Sequence, residues 1–284
     1  MPDIALATAA AFGLADEDVL LVDALACLGL TAESCVWDDP TVDWASYRMC
    51  VIRSTWDYFP KLPQFLAWTK RVSGTTTLHN DAELVAWNCD KRYLAELAAQ
   101  GIPTIETEYV EAGASGTLGA VLGERGWERA VVKPAVDGGA KHLFTVDGPP
   151  TPEQEAAFVQ LVTAGVVLVQ PFLDTVVGNG ELSVFLFDGQ LSHAVRKRPA
   201  PGDFRVQPEW GASSELVAPE AADLAAVDAV VSTLAEPPLY ARVDLIRDGG
   251  EHLLMELEVI EPRLFLDVAP GSADRFAAAI AARL

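Results

Sequence analysis

Apolar runs of strand length alternate with segments of helical periodicity along the first part of the chain. Runs at 4–9, 32–37 and 50–55 have the length and composition of buried strands, and a helical pattern fills 16–29. A further helix is predicted near 60–72. Strands that alternate with helices predict a small α/β unit with a mostly parallel sheet.

Polar residues then mark the starts of two helices. Asn80 or Asp81 can cap the first and Asn88 or Asp90 the second, because a short polar side chain accepts hydrogen bonds from amides of the first turn. The glycine and the proline within 101–103 end the second helix. A helical connection is therefore predicted after the first α/β unit.

Strand patterns dominate the rest of the chain. The predicted elements are a short helix at 116–123, a strand at 129–134, a helix at 153–163, strands at 166–172, 181–187 and 190–197, a helix at 219–235, a hairpin at 240–262 and a final helix from 272. A polar loop with Pro and Gly is predicted at 198–217. These patterns predict a second, strand-rich region that follows the first α/β unit.

Composition and charge narrow the class of protein. The 284 residues, 50% of them hydrophobic, can bury a substantial core in one large domain or in two to three smaller ones. The 41 acidic and 20 basic residues give a net charge of −21, which opposes binding to nucleic acid or to an anionic membrane surface. We therefore expect a small-molecule partner, with no nucleic acid and no membrane.

Targeting and cysteine patterns predict a cytoplasmic protein. The N-terminal segment lacks the basic region of a signal peptide. The longest uncharged run, 156–173, is interrupted by Gly165 and Pro171 and is interpreted as a helix followed by a strand, and not as a membrane span. The four cysteines are widely spaced and form no CxxC pair, which is typical of a reducing compartment.

The predicted C-terminal hairpin carries three carboxylates. Strand side chains alternate with a period of two, so Glu256 and Glu258 point the same way, and pairing can bring Asp244 beside them. Such carboxylates repel one another unless cations lie between them. The hairpin is therefore either a cation site or a solvated acidic face.

A lysine before a glycine turn predicts an anion site. Lys133 ends the strand at 129–134, and Gly138 and Gly139 allow backbone amides to approach a phosphate. An ordinary turn with an exposed lysine remains the alternative, and neither a Walker A loop nor a GxGxxG motif is present. Later, Gln170-Pro171 ends an apolar strand, and the missing proline amide would leave neighbouring backbone groups free to bind a purine edge, although a plain strand end is the alternative.

The order of these residues resembles the ATP-grasp superfamily of carboxylate–amine ligases. The matching positions are Lys91, Lys133, the QPFL strand end at 170–173, Glu181, Lys197, Arg242-x-Asp244 and Glu256-x-Glu258. The resemblance spans about 80–266. The segments RSTWDY at 53–58, WNCDKRYL at 87–94, GELSVFLFDGQLSHAVRK at 180–197, GDFRVQ at 202–207 and ELEVIEP at 256–262 resemble the branch that includes the cycloserine synthetase acting on O-ureido-D-serine.

The resemblance implies an α/β fold of the α+β ATP-grasp type, in which two sheets grip ATP. An N-terminal α/β domain would span 1–88, a central subdomain 89–173, and a C-terminal subdomain with the metal site 174–284. ATP would be used together with Mg²⁺, two ions being expected and Mn²⁺ being an alternative. The oligomeric state stays open between monomer and homodimer.

The resemblance also implies residue roles. Lys91 and Lys133 would contact the nucleotide phosphates, and Lys197 and Arg242 would be catalytic cations at the β- and γ-phosphates. The adenine would bind to Gln170 and to the backbone at Phe172 and Leu173, and the ribose would bind to Glu181. The magnesium would be bound by Asp244, Glu256 and Glu258. The usual metal motif ends in Glu-x-Asn, and Glu258 replaces that Asn here.

Substrate contacts are predicted on two further segments and on a lid. The predicted residues are Arg53, Ser54, Trp56, Asp57, Arg205 and Arg263. The polar loop at 198–217 would be the lid, with Arg205 reaching the substrate carboxylate or the γ-phosphate in a catalytic role. The alternatives are an exposed loop arginine at 205, interdomain core at Trp56 and a surface ion pair at Arg263.

The function implied is that of an ATP-dependent, ADP-forming ligase for an amino-acid-like substrate. Its carboxylate would become an acyl phosphate, which an amine then attacks, either between two molecules or by ring closure. Two alternatives use the same residues: an ATP-grasp kinase or phosphotransferase, and a non-catalytic nucleotide-binding protein.

Overall fold

The first sheet follows the predicted α/β pattern. The computed structural model describes residues 2–139, 141–206 and 210–284. The elements of the first part are β1 (Ile4–Thr8), α1 (Asp16–Cys27), β2 (Ala32–Val36), β3 (Met49–Ile52), α2 (Leu62–Ser73) and β4 (Thr77–His79). The strands are parallel in the order β2-β1-β3-β4. β1 and β3 are buried throughout because helices cover the sheet, which confirms the predicted parallel arrangement.

A helical connection leads to the second sheet. Its helices are α3 (Ala82–Asn88) and α4 (Tyr93–Ala99). Asp81 caps α3 by accepting hydrogen bonds from the amides of Glu83 and Leu84, as predicted for one of two candidates. Capping by Asn80 or Asn88 was the other expectation and is wrong, because both amides bind the backbone of the C-terminal hairpin instead.

The second sheet is antiparallel. Its elements are β5 (Glu108–Val110), α5 (Leu118–Arg125), β6 (Arg129–Pro134), β7 (Phe144–Asp147), α6 (Pro152–Ala164) and β8 (Val167–Pro171), with the strand order β5-β8-β6-β7. Helices α5 and α6 bury a core that includes Leu122, Val132 and Phe158. The uncharged run at 156–173 thus forms the end of α6 and β8, and no helix among the described residues has the length and hydropathy needed to span a membrane.

The third sheet contains the acidic hairpin. Its elements are α7 (Thr175–Asn179), β9 (Glu181–Phe187), β10 (Gln190–Arg198), β11 (Ser213–Val217), α8 (Ala221–Val231), β12 (Tyr240–Asp248), β13 (Glu251–Glu258) and α9 (Ser272–Arg283), with the order β11-β10-β9-β12-β13. The prediction of a loop at 198–217 is wrong for its last residues, because these form β11, a largely exposed edge strand. Residues 207–209 of that loop lie outside the described residues.

One apolar cluster joins the first and third sheets. Leu6 and Val51 of the first sheet belong to the same buried cluster as Phe185 and Tyr240 of the third, together with Phe276 of α9. The described strands form three sheets, one within each predicted domain, although the boundaries at 88 and 173 themselves stay a prediction. Because this core is continuous, the first sheet has a fixed position relative to the acidic hairpin.

Asn80 connects the helical region to both strands of the hairpin. Its Nδ2 donates to the carbonyls of Tyr240 (2.9 Å) and Val259 (2.7 Å), and its Oδ1 accepts from the amide of Leu239 (2.7 Å). Asn80 is 2% exposed. Three buried backbone groups therefore depend on this side chain for their hydrogen bonds.

We predict that Asn80→Ala destabilises the fold by about 2–4 kcal/mol, because each buried polar group left unpaired costs about 1–3 kcal/mol. Urea or thermal unfolding followed by circular dichroism measures this loss. The control is Asn179→Ala, an exposed site where we expect a change within about 0.5 kcal/mol. Equal stabilities of the two variants would contradict the role of Asn80.

Candidate active site

A cavity of about 340 Å³ lies where the three sheets meet. This volume falls in the range of small-molecule sites. Trp56 and Phe59 line it from the first unit, Lys133 from the second sheet, and Asp244 and Glu256 from the third. Further predicted residues on its wall are Lys91, Glu181, Lys197, Arg242, Glu258 and Arg263. Residues that are far apart in the chain therefore share one cavity.

The acidic hairpin forms a compact carboxylate group on this wall. In the pairing of β12 with β13, Asp244 lies opposite Glu256 and Arg242 opposite Glu258. One carboxylate oxygen from each of Asp244, Glu256 and Glu258 can be chosen so that all three lie within 4.8 Å of one another. Oxygen donors at this spacing suit a hard divalent cation, so the side chains present fit Mg²⁺.

Asp244 is the most strongly paired of the three acids. Arg242 binds it through Nη2 at 2.9 Å and Nε at 3.0 Å, the Lys197 ammonium lies 3.4 Å away, and the Ser183 hydroxyl donates to it. Burial alone would raise the pKa of Asp244, but the charges of Arg242 and Lys197 outweigh it and lower that pKa. Asp244 is therefore ionised and ready to bind a cation.

The neighbouring carboxylates differ in their electrostatics. Burial raises the pKa of Glu258 to about 7, although Arg242 forms an ion pair with it. Burial likewise raises the pKa of Glu181 to about 7, against the opposing charge of its ion-pair partner Lys197. Raised pKa values mean that these buried acids lack enough positive charge nearby, and bound cations would supply it.

Two lysines lie with the acids on the cavity wall. Lys91 pairs with Glu256 at 2.9 Å and donates to the carbonyl of Asp137 at 2.8 Å. The side chain of Lys133 forms no hydrogen bond or ion pair with any residue that the structure describes. Burial lowers the pKa of Lys133, and the nearby Lys91 adds to that effect. A lysine without a partner in such a cavity can bind an anionic ligand at once.

The glycine turn after Lys133 contacts the first unit of the chain. A Cβ atom built on Gly138 would lie 2.1 Å from Cζ of Phe59, and Gly139 has a positive φ of 67°. The prediction explained both glycines by their approach to a phosphate. The structure adds a second reason, since only glycine leaves room for the Phe59 ring against this turn.

The backbone that follows Glu256 is held by side chains from elsewhere in the fold. We term residues 257–266 the anchored segment. At its start, Tyr93 and Asn88 bind the carbonyl of Leu257 at 3.0 and 2.7 Å, and Tyr93 also accepts from the Leu257 amide at 2.8 Å. β13 is the edge strand of its sheet, so no neighbouring strand is available for these groups.

The remainder of the anchored segment is bound in the same way. The contacts are Asn80 to Val259 O (2.7 Å), Tyr240 to Ile260 O (2.8 Å), Trp56 to Glu261 O (3.0 Å), Arg53 to Pro262 O (3.1 Å) and Arg242 to Arg263 O (3.4 Å), while Glu17 accepts from the amides of Leu264 (2.7 Å) and Leu266 (3.3 Å). Most of the donors and acceptors that bind the segment lie in the first unit or on β12. The segment therefore has one defined path along the cavity.

The predicted substrate residues divide into two groups. Trp56 and Arg263 line the cavity, although Arg263 also pairs with Asp267 at 3.0 Å. Arg53 does not line it and is 2% exposed, bound to Asp18 at 2.8 Å. Ser54 is fully buried and donates to the carbonyl of Gly13. Arg53 and Ser54 are thus buried away from the cavity wall, and Arg53 holds the anchored segment. Their contact with substrate stays a prediction.

The other predicted contacts lie away from the cavity wall. Asp57 pairs with Lys61 at 2.8 Å and accepts from Trp37 at 2.8 Å. In the lid, Arg205 pairs with Asp203 at 2.7 Å and lies 3.3 Å from the ring centroid of Trp210. Arg205 thus has partners within its own loop, and its contact with substrate stays a prediction. Gln207 of the GDFRVQ motif lies outside the described residues.

The predicted adenine hinge is only adjacent to the cavity. Gln170 is buried and donates to Thr107 at 2.9 Å. The amide of Phe172 donates to the carbonyl of Arg129 at 3.0 Å, so this one of the backbone groups beside Pro171 is already paired, and the hinge stays a prediction. Leu173 packs in an apolar cluster with Val206 and Met255, which do line the cavity.

The prediction missed several cavity residues. They are Phe12, Tyr58, Phe59, Asn88, Val206, Met255, Glu261 and Phe265. Glu261 is within the quoted ELEVIEP motif, but strand alternation does not extend to it because β13 ends at Glu258. Burial raises the pKa of Glu261 to about 8, and the charge of Glu258 contributes.

Known proteins share this architecture. The profile of the family described as "D-cycloserine synthetase DcsG, N-terminal domain" matches residues 4–80. The cycloserine biosynthesis protein DcsG of Streptomyces lavendulae is 37% identical over 93% of this chain and 92% of its own length.

Solved structures extend the comparison to the whole fold. The crystal structure of D-cycloserine synthetase DcsG superposes with a TM-score of 0.88 at 33% identity, covering 99% of both chains. A RimK domain ATP-grasp protein from Sphaerobacter thermophilus DSM 20745 has the same fold, with a TM-score of 0.71 at 17% identity over 97% of this chain and 98% of its own. The chain therefore belongs to the DcsG family, which has the ATP-grasp fold.

Proposed function

We propose that the protein is an ATP-dependent, ADP-forming ligase that activates the carboxylate of an amino-acid-like substrate for attack by an amine. One observation carries the proposal: Asp244, Glu256 and Glu258 lie together on a cavity that Lys91 and Lys133 also line. The relative named D-cycloserine synthetase supports a ring closure within one substrate as the first candidate reaction. Ligation of two substrates is the alternative.

The cations of the cavity would bind the triphosphate. Lys91, Lys133, Lys197 and Arg242 all line the cavity. In the proposed complex they offset the charge that develops as the γ-phosphoryl group moves to the substrate carboxylate. Glu181, at the start of β9, would accept hydrogen bonds from the ribose hydroxyls.

The adenine would lie against the apolar cluster beside the hinge. Val206 and Met255 belong both to this cluster and to the cavity wall, and Leu173 packs behind them. Gln170 and the backbone at Phe172 would border the same site. An apolar slot next to buried polar groups suits a purine, which needs stacking area and hydrogen bonds at its edge.

The metal would be held by Asp244, Glu256 and Glu258, and we propose two Mg²⁺ ions, with Mn²⁺ as a substitute. When bound, the metal supplies positive charge for the phosphate oxygens. Ionised Asp244 is prepared for this role by Arg242 and Lys197. ATP-grasp proteins usually carry Asn in the position of Glu258. Glu258 adds one more negative charge to the site, which the bound metal ions would offset.

The chemistry proposed has two steps. A carboxylate oxygen attacks the γ-phosphorus and ADP leaves, which gives an acyl phosphate. The amine nitrogen then attacks the acyl carbon, the bond from that carbon to the phosphate oxygen breaks, and phosphate and a proton leave. Water would compete for the acyl phosphate, so Phe12, Trp56 and the proposed lid at 198–217 would exclude it. We expect this reaction in the cytoplasm.

We predict that Lys133→Ala lowers kcat/KM for ATP by about 100-fold, because a cation that stabilises transferred phosphate is removed. ADP release in the presence of Mg²⁺ and a panel of L- and D-amino acids, with O-ureido-D-serine included, measures the effect. Lys70→Ala, at an exposed helix position, is the matched control and should keep the wild-type rate. An unchanged rate in Lys133→Ala would remove Lys133 from the phosphate site.

We predict that ATP raises the unfolding midpoint of the wild type in Mg²⁺ but not in EDTA. Ligand at 100 times its Kd stabilises a folded protein by about 2.7 kcal/mol. Glu256→Gln should lose most of this stabilisation, because it removes a metal ligand and the partner of Lys91. The exposed Glu251→Gln, on the same strand, should retain it. Stabilisation that persists in EDTA would contradict the metal site.

We predict that a substrate labelled with ¹⁸O in its carboxylate transfers one labelled oxygen to the released phosphate. This follows because the carbon–oxygen bond breaks when the amine attacks an acyl phosphate. Mass spectrometry of the phosphate measures the transfer. A phosphorylated product without free phosphate would indicate a kinase, and an absence of ADP with every amino acid would indicate a non-catalytic nucleotide-binding protein.

A further inference from the structure

Glu261 differs from the other acids on the cavity wall in its side-chain partners. Most of the acids on the wall form ion pairs: Glu256 with Lys91, Glu258 with Arg242, and Asp244 and Glu181 with Lys197. Among the described residues, no side chain forms a hydrogen bond or ion pair with the carboxylate of Glu261. A half-buried carboxylate is costly to leave unpaired, so its partner is expected in a ligand.

The main chain of Glu261 is held by hydrogen bonds, although no side chain of the described residues binds its carboxylate. The carbonyl of Glu261 accepts from Nε1 of Trp56 at 3.0 Å, and the next residue's carbonyl accepts from Arg53 at 3.1 Å. The anchored segment therefore holds Glu261 at one position on the cavity wall. A fixed carboxylate can select a ligand by charge, because little conformational entropy is lost on binding.

The surroundings of Glu261 suit a cation of moderate size. Trp56 lines the cavity and packs edge-on against Phe12, with ring centroids 5.5 Å apart. Aromatic rings attract ammonium groups, and indole does so most strongly. Arg263, two residues along, lines the same cavity and carries the opposite charge, so one short segment offers a carboxylate and a guanidinium to one ligand.

We propose that Glu261 binds the α-ammonium group of an amino-acid substrate, with Trp56 beside it. This inference rests on the proposed ligase function and adds that the substrate carries a cationic amine which does not react. An amine paired with a carboxylate stays protonated and has no lone pair for attack on the acyl phosphate. Glu261 is thus a specificity-determining residue. Because it keeps the α-amine protonated, the nucleophile is a second, neutral nitrogen.

The test compares substrates with and without the α-amino group. The probes are the amino acid of the panel that wild type turns over fastest, O-ureido-D-serine being one member, and its counterpart with hydrogen in place of that amine. Wild type should prefer the amino acid in kcat/KM, and Glu261→Gln should lose about 10- to 100-fold with the amino acid while changing little with the counterpart. Glu236→Gln, an exposed site, is the control and should keep the wild-type preference.

Two further measurements separate this role from others. The stabilisation of Glu261→Gln by MgATP should equal that of the wild type, which shows an intact fold and nucleotide site. The inference is overturned if Glu261→Gln keeps the wild-type preference for the amino acid. A variant that keeps this preference and only needs more Mg²⁺ for its half-maximal rate would indicate a metal role instead, and would also overturn the inference. Absence of phosphate release by the wild type with every amino acid would overturn the proposed function, and this inference with it.

Discussion

The anchoring of residues 257–266 by side chains is the constraint on which the site depends. β13 is an edge strand, and Glu256 and Glu258 lie at its end, where a backbone normally loses its partners. Here Asn88, Tyr93 and Trp56 supply the missing hydrogen bonds, at 2.7–3.0 Å. Because these side chains come from the first unit and the helical connection, the two glutamates and the cavity wall after them have one defined geometry.

The charged groups of the cavity differ in whether they have an ion-pair partner within the protein. Asp244 is ionised because Arg242 and Lys197 both bind it, and removing one partner of such a buried pair costs about 3–5 kcal/mol. The side chain of Lys133, by contrast, has no partner among the described residues. The cavity therefore combines groups that form ion pairs within the protein, such as Asp244, with groups that have no side-chain partner among the described residues, such as Lys133 and Glu261.

Strand periodicity explains why the sequence predicted the metal residues but not the whole site. Glu256 and Glu258 are two apart on one strand, so their common face follows from alternation. Glu261 comes after the strand ends, and no local pattern shows that it faces the cavity. For Arg53, the sequence shows a polar strand end but not that Asp18, on the preceding helix, lies 2.8 Å away. β4, β7 and β11 were missed, because short or polar edge strands lack an apolar pattern.

The contact of Phe59 with Gly138 connects the segment of Trp56 to the glycine turn after Lys133. Phe59 follows the segment that carries Trp56, and its ring lies where any side chain at 138 would have to be. The glycine turn cannot move toward Phe59 without a clash, and the segment of Trp56 cannot shift without moving Phe59. Since Trp56 also binds the anchored segment, the glycine turn and the anchored segment are joined by direct contacts, and a displacement of one changes the geometry of the other.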